Sequence, residues 1–364
     1  MRILIASGGT GGHLYPALVL ARKLKGRGCE VLLALRANET APRGILPEDI
    51  PKAVLEGAPL YRSAPLKNVA GAFSNLKGFM KGFGVVRRFR PDAAVGFGGY
   101  ASVPILLACA LQGVPVLVHE QNAVAGLANR ICSVFARRVA VSFDETLRDF
   151  PEKGVWVGNL VREEFFREDR PSALKALGLT EGKLTVLIFG GSAGARGINR
   201  AAWECAGSLK GLSGRLQFIH QTGNADDTLS LKQRYLDMGF AAAVREYFHE
   251  MAPCYSAADI VVSRAGAGTV SELMATQRPA LLIPYPSAAG DHQARNAETL
   301  SKLGAARILT ESQDLGKRME AALREFVSSP EILKKMKEGY RQISRSLRES
   351  PGKMADLAVS LAKP

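Results

Sequence analysis

Apolar residues fall in short unbroken runs, and stretches of helical spacing lie between them. In the first half the runs are Ile3–Ala6, Val31–Leu35, Ala93–Gly96, Val114–His119 and Arg138–Val141. In the second half they are Thr185–Phe189, Leu216–Gln221, Ile260–Ser263 and Ala280–Ile283. Several are continuous rather than alternating, as parallel strands covered on both faces require. Helical patterns at Leu14–Leu24, Asn199–Ser208 and Thr269–Thr276 separate them. The alternation predicts two doubly wound parallel-sheet α/β domains. The first series ends in the polar segment Val157–Arg162, a second begins at Lys183, and residues after about Ser329 read as charged helix.

Length agrees with this division, because 364 residues exceed one ordinary core. The first apolar run ends in glycines with no cleavage site behind it, so no signal peptide is expected. The longest apolar stretch, Ala101 to Val118, is broken by Pro104, Gly113 and Pro115, so no spanning helix is expected. Five scattered cysteines form no Cys-x-x-Cys pair and read as buried thiols of a reducing cytoplasm. Net charge is +14, and residues 1–160 hold 20 Lys and Arg against 11 Asp and Glu. That excess suits an anionic partner.

Candidate chemistry gathers where the strands stop. After Ile3–Ala6 come Gly8-Gly9-Thr10-Gly11-Gly12-His13 and then a helical pattern. Strand, glycine loop and helix start together hold phosphate: backbone N–H groups converge, and the helix dipole favours an anion. Gly190-Gly191-Ser192-Ala193-Gly194 repeats the arrangement, and Gly98-Gly99-Tyr100-Ala101-Ser102 forms a third corner. Leu14 breaks the dinucleotide fingerprint and no Gly-Lys-Ser/Thr occurs, which disfavours a dehydrogenase and a Walker loop. His13 is either a satisfied structural histidine or a proton acceptor, and its place beside a phosphate-type loop favours the second. His119-Glu120-Gln121-Asn122 opens like a metalloprotease motif, but Ala123 stands where the second histidine belongs. Ser263–Glu272 follows another strand, and Glu272 reads either as helix support or as an acceptor for ribose hydroxyls.

Six motifs in order resemble the MurG family of bacterial peptidoglycan glycosyltransferases. They are 8–13, 98–102, 119–130, 190–196, 263–272 and 291–297, and the likeness covers nearly the whole chain. It implies the GT-B fold, two Rossmann-like domains with an interdomain cleft. The first domain would take 1–160, the second 161–340, and a helix over 341–364 would return to the first. It implies inverting transfer of N-acetylglucosamine from UDP-GlcNAc to the muramyl 4-hydroxyl of lipid I, giving lipid II. Thr10, Gly11, Gly12, His13, Tyr100, Ala101 and Asn129 would face the acceptor, with Thr10, Gly11 and Gly12 also serving the donor. Asn122 and Gln293 would touch the donor sugar, and Arg162 and Ser192 the diphosphate. Phe248 and Met251 would flank uracil, Ala267, Gly268 and Thr269 would form the loop before the nucleotide-binding helix, and Glu272 would bind ribose. Positions 158–162 lack the proline usual in the middle of this segment in the family, Ala294 stands where some members have a second glutamine, and Gly268 replaces a larger apolar residue.

His13 is the first candidate base, with His119 and Glu120 in reserve. No metal motif occurs, so no cofactor is required, although a divalent cation is allowed. The partners implied are UDP-GlcNAc, lipid I, an anionic membrane surface, and cell-wall synthesis and division proteins. The site of action would be the cytoplasmic face of the bacterial inner membrane. From Gly57 to Pro91 there is no acid and there are seven bases. Phe73, Leu76, Met80 and Phe83 recur there at helical spacing, with Phe79, Lys77 and Lys81 adjacent, as peripheral membrane docking needs. Packing on the sheet is the competing reading. Other readings are a different GT-B enzyme using a UDP-sugar (glycolipid synthase or epimerase), and a nucleotide-binding protein without chemistry. Dispersed bases and few aromatics argue against nucleic acid.

Overall fold

A computed structural model describes residues 1–8, 11–36, 46–55, 65–100 and 102–362. Thr10 and Ala101, both expected in the acceptor site, lie outside these residues. The chain divides into two compact units, one of Met1–Arg162 with Glu349–Pro364, the other of Glu163–Arg348.

In the first unit the elements run β1 (Arg2–Ala6), α1 (Gly11–Lys25), β2 (Glu30–Arg36), β3 (Lys52–Leu55), α2 (Pro65–Phe89) and β4 (Ala93–Gly96). They continue with α3 (Ser102–Leu111), β5 (Val116–Glu120), α4 (Leu127–Phe135), β6 (Arg138–Val141) and β7 (Gly154–Trp156). Among the described residues these strands form one parallel sheet in the order β3-β2-β1-β4-β5-β6-β7. Side chains of β1 leave alternately to the two faces. Ile3 and Ile5 join Leu14, Leu20 and Leu24 of α1, with Met354 and Ala358 from the end of the chain. Leu4 and Ala6 join Val86 of α2 and Ile105, Leu106 and Cys109 of α3. Burial on both sides accounts for the unbroken apolar run, each large side chain contributing about 1.5–3 kcal/mol.

The second unit runs α5 (Arg170–Ala176), β8 (Leu184–Phe189), α6 (Arg196–Ser208), β9 (Leu216–Gln221), α7 (Ala225–Asp237) and β10 (Ala241–Arg245). Then follow α8 (Met251–Ala257), β11 (Ile260–Ser263), α9 (Ala267–Thr276), β12 (Ala280–Leu282) and α10 (His292–Lys302). It closes with β13 (Ala306–Ile308), α11 (Leu315–Ser328) and α12 (Pro330–Glu338); α13 (Arg341–Ala362) begins here and ends in the first unit. Its sheet is also parallel, in the order β10-β9-β8-β11-β12-β13. Val186 and Ile188 pack with Ile198 and Ala202 of α6 and with Met319 and Leu323 of α11.

Both sheets carry the strand-order reversal at which doubly wound folds bind ligands. It lies between β1 and β4 in one unit and between β8 and β11 in the other. The three glycine corners follow β1, β4 and β8, and the segment with Gly266 and Gly268 follows β11. All five cysteines are buried and free. Burial pushes the thiols of Cys109, Cys132 and Cys254 up to about 12, and that of Cys205 higher still.

Candidate active site

In the first unit two glycine corners interlock. The Gly8 N–H donates to the Gly98 carbonyl at 3.0 Å. Gly98 and Gly99 both have φ +81, and a Cβ on Gly99 would lie 2.8 Å from the Gly8 Cα. Only glycine fits that approach. His13 is drawn into the same corner: a Cβ on Gly8 would sit 3.3 Å from its Nδ1, and one on Gly98 3.3 Å from its Cδ2. Helix α1 starts at Gly11, earlier than the apolar pattern indicates, so Gly11, Gly12 and His13 form its first turn. Their N–H groups have no carbonyl four residues back within the helix, which makes this end an anion-binding position. Tyr100 is 37% exposed beside it.

The reserve bases are built differently. His119 is fully buried. Its Nε2 lies 3.1 Å from the Gly158 carbonyl, which can only accept, so this nitrogen carries the proton. Nδ1 then accepts from the Gln121 amide at 3.1 Å. Burial lowers its pKa to about 4, against the opposing pull of the Gly158 carbonyl. Glu120 is 1% exposed. One carboxylate oxygen accepts from the Asn122 backbone and side chain at 2.9 and 3.2 Å. The other accepts from Gly126 N–H at 2.9 Å and the Asn129 amide at 2.7 Å. Neither group is placed to take a proton from a substrate; together they brace the loop after β5. Asn129 is a correction of the same kind: at 3% exposure it also donates to the His119 carbonyl, and it supports Gly98 instead of facing a ligand.

A buried neutral imidazole has a measurable consequence. The His119 pKa is about 4 in the folded chain against 6.5 for the free group. Its contribution to stability is therefore complete above pH 6.5 and lost as pH falls towards 4. The loss is expected to reach about 3 kcal/mol. His220 is also buried and lowered to about 3, so it extends the decline to lower pH. Thermal unfolding followed from pH 7.5 to 4 in wild type and His119→Gln checks this. Parallel curves would refute it.

In the second unit Gly190–Gly194 turns β8 into α6. A Cβ on Gly190 would lie 2.3 Å from the Ala195 nitrogen, and one on Gly194 (φ +72) would lie 2.0 Å from the Thr222 carbonyl oxygen. Ser192 is exposed at the tip. Helix α6 has Ala195 at its N-cap and no side-chain cap, so its first N–H groups are not spent on one. Gln221, at the end of β9, ties the corner together. Its amide donates to the Gly191 carbonyl at 3.1 Å and its carbonyl accepts from the Phe248 N–H at 2.8 Å. Neither Gln221 nor the Thr222-Gly223 turn was anticipated as part of the site. The position of Gln221 at the carboxyl end of an apolar strand was the available signal.

Ala267, Gly268 and Thr269 form the first turn of α9, not a loop before it, because Gly266 takes the N-cap. A Cβ on Gly268 would meet nothing within 4 Å, so a ligand can approach closely. Glu272 stands one turn further, held by the Tyr255 hydroxyl at 3.0 Å. Asp291, at φ 55, turns the chain into α10 just before Gln293, whose carbonyl accepts from the Tyr285 N–H at 2.9 Å. Such a conformation is uncommon for a residue other than glycine. Met251 is half-buried at the start of α8. Phe248 is only 2% exposed, with the Arg245 guanidinium 5.1 Å from its ring, so the ring face expected to flank uracil is closed. Arg162 falls in the first unit, its guanidinium 4.3 Å from the Tyr15 ring of α1. That placement gives Arg162 a cation–π contact with α1.

On α2, Leu76 and Met80 are 57% and 64% exposed beside exposed Lys77 and Lys81. Phe79 and Phe83 instead turn partly inward, rings 6.1 Å apart, against the core under α3. The Phe73 side chain lies outside those described. A groove of about 340 Å³ runs from Leu76 and Phe79 past Tyr100 to Val103 and Leu107 of α3, and its wall is almost wholly apolar.

Comparison with known proteins places this geometry. Residues 3–141 match the glycosyltransferase family 28 N-terminal domain, and residues 185–349 match its C-terminal domain. The chain is 38% identical over 355 residues to a Halothermothrix orenii protein, covering 95% of each chain. It is 39% identical over 375 residues to one from Myxococcus xanthus, covering 99% of this chain and 93% of that one. Both are named UDP-N-acetylglucosamine–N-acetylmuramyl-(pentapeptide) pyrophosphoryl-undecaprenol N-acetylglucosamine transferase. Among solved structures, Acinetobacter baumannii MurG superposes with a TM-score of 0.76 at 27% identity, covering 99% of both chains. With full-length likeness in sequence and fold, the chain belongs to the MurG family of hexosyltransferases within glycosyltransferase family 28.

Proposed function

We propose that this protein transfers N-acetylglucosamine from UDP-N-acetylglucosamine to the 4-hydroxyl of the muramyl sugar of undecaprenyl-pyrophosphoryl-muramyl-pentapeptide, with inversion, releasing UDP. The observation that carries the proposal is the near-full-length identity to relatives named for this transfer. The acceptor corner of β1 and β4 and the donor corner of β8 and β11 supply groups suited to each half of the reaction. The acceptor oxygen bonds to the anomeric carbon as the bond from that carbon to the β-phosphate oxygen breaks. The hydroxyl proton passes to His13, and the electron pair leaves on UDP. Its growing charge meets the Gly190–Gly194 backbone, Ser192 and the N-terminus of α6. Glu272 receives the ribose hydroxyls, and the open first turn of α9 admits the nucleotide. The α1 N-terminus takes the acceptor pyrophosphate.

Transfer of radiolabel from UDP-N-acetylglucosamine to a lipid I analogue tests the assignment. Labelled lipid product is expected. Donor consumption without it would favour a different UDP-sugar enzyme, and no consumption at all would favour a binding protein.

A lipid-linked acceptor also calls for peripheral docking at the cytoplasmic face of the membrane. Among the described residues no helix is long and apolar enough to cross a bilayer. The exposed pair Leu76 and Met80, with Lys77 and Lys81, suits docking on anionic lipid. A Leu76→Ser/Met80→Ser variant is expected to bind phosphatidylglycerol vesicles about tenfold more weakly in flotation. Unchanged flotation would remove this surface from the proposal.

A further inference from the structure

A cationic pocket lies in the second unit, away from the donor corner. It holds about 330 Å³ and opens at the carboxyl end of α9, whereas the donor loops gather at that helix's amino end. At 1.5 Å per residue the two ends of α9 are about 15 Å apart. Six cations line the pocket, Arg167, Arg278, Lys337, Arg341, Arg345 and Arg348, against the single carboxylate of Glu168. The reaction described above uses none of them.

Self-pairing does not explain this concentration of charge. Arg278 is paired with Glu168. Arg341 reaches Glu338 only at 3.8 Å, both side chains being largely exposed. Arg348 donates to the Phe166 carbonyl at 3.1 Å and lies 5.1 Å from that ring. Among the described residues, Arg167, Lys337 and Arg345 make no ion pair. Glu168 registers the local field. Burial would push its carboxyl up, yet the charge and hydrogen bond of Arg278, with Lys337 and Arg170 nearby, hold it below the usual carboxylate range. The carbonyl end of α9 adds some negative potential, which is weak beside six full charges.

One atom is left unsatisfied. Arg278 is 94% buried, and its Nε–H has no hydrogen-bond partner among the described residues. An anion in the pocket would neutralise Arg278 and the guanidinium groups around it. Planar guanidinium forks fit phosphoryl oxygens, often by two parallel hydrogen bonds. The volume is near the lower limit for ligand pockets, which suits a phosphate or diphosphate head and not a whole nucleotide sugar.

We propose that the pocket between α9, α12 and the start of α13 binds a phosphoryl group, either free in solution or carried on a lipid headgroup. Titration calorimetry with inorganic pyrophosphate tests the first source, with UDP saturating so that the donor corner is occupied. Flotation on phosphatidylglycerol vesicles tests the second, in the Leu76→Ser/Met80→Ser background so that the α2 surface contributes less. Lys337→Ala/Arg345→Ala is the main variant, because both side chains are exposed and its fold should be preserved. It is expected to weaken binding at least tenfold and to leave turnover of a soluble acceptor unchanged. Arg278→Lys, which loses the Nε–H donor, should weaken binding in the same direction. A pyrophosphate response that the Lys337/Arg345 variant loses, with no such vesicle response, identifies a soluble phosphoryl ligand, and the converse identifies a lipid headgroup. The proposal is overturned if neither probe binds, or if wild type and the Lys337/Arg345 variant bind both probes equally.

Discussion

Removing the imidazole of His13 should lower kcat by about 10²–10⁴-fold. The affinity for UDP-N-acetylglucosamine should change far less than kcat, because the groups proposed to hold UDP are the Gly190–Gly194 backbone, Ser192 and Glu272. His13 stands in the first turn of α1, its ring so near Gly8 and Gly98 that a Cβ on either would lie 3.3 Å from it. Of the three candidate bases it alone is not buried, being half-exposed where His119 and Glu120 are 0% and 1% exposed. A pH–rate profile separates a base from a prop. Loss of the acidic limb in His13→Ala, with an unchanged melting temperature, marks proton transfer. Normal turnover in the variant would return the base to the acceptor or to solvent.

Donor binding should fail in Gly194→Ala, with affinity reduced about 100-fold or more, equivalent to about 2.7 kcal/mol. Two penalties combine at this position. The backbone is at φ +72, and the added carbon would lie 2.0 Å from the Thr222 carbonyl oxygen and 2.9 Å from the Gly223 Cα. Backbone atoms cannot swing aside as a side chain tip can. The loop or the Thr222-Gly223 turn must move, and the N–H groups offered to the diphosphate move with it. Ser192→Ala changes an exposed hydroxyl and no packing, so it should weaken the donor by only about tenfold. Equilibrium binding of UDP-N-acetylglucosamine to both variants checks the ordering. Wild-type affinity in a folded Gly194→Ala protein would exclude the loop from the donor site.

The legible part of the fold was its interior. Every strand expected from an apolar run is present, the ends moving by a residue or two. Four strands went unanticipated: β3, β7, β10 and β13. All four are sheet edges. Their residues are mostly half-exposed, as in Lys52–Leu55 and Ala241–Arg245, so no continuous apolar run marks them. An edge strand is specified mainly by backbone pairing with its neighbour, which leaves little trace in side-chain type.

For the site, the boundary between legible and hidden runs differently. Glycine corners were visible because the backbone geometry they serve excludes other residues. Polar residues at strand ends were visible as well, but their direction was not. Glu120, His119 and Asn129 have the composition of a reactive cluster, and the structure turns all three inward to brace Gly98 and the loop after β5. Sequence spacing cannot tell a carboxylate aimed at solvent from one whose oxygens are filled by neighbouring N–H groups. On α2 the stripe divides, since Phe79 and Met80 are adjacent yet face different surroundings: Phe79 turns partly inward and Met80 stays exposed.

The sequestered thiols have a practical corollary. With five cysteines inside the fold and four of them held far from the thiolate form, maleimide reagents should find little to modify at neutral pH. A single new cysteine at Ser192 or Met80 would then accept a dye on an otherwise native background. Donor engagement and lipid docking could be followed by fluorescence without first stripping the natural sulfhydryls.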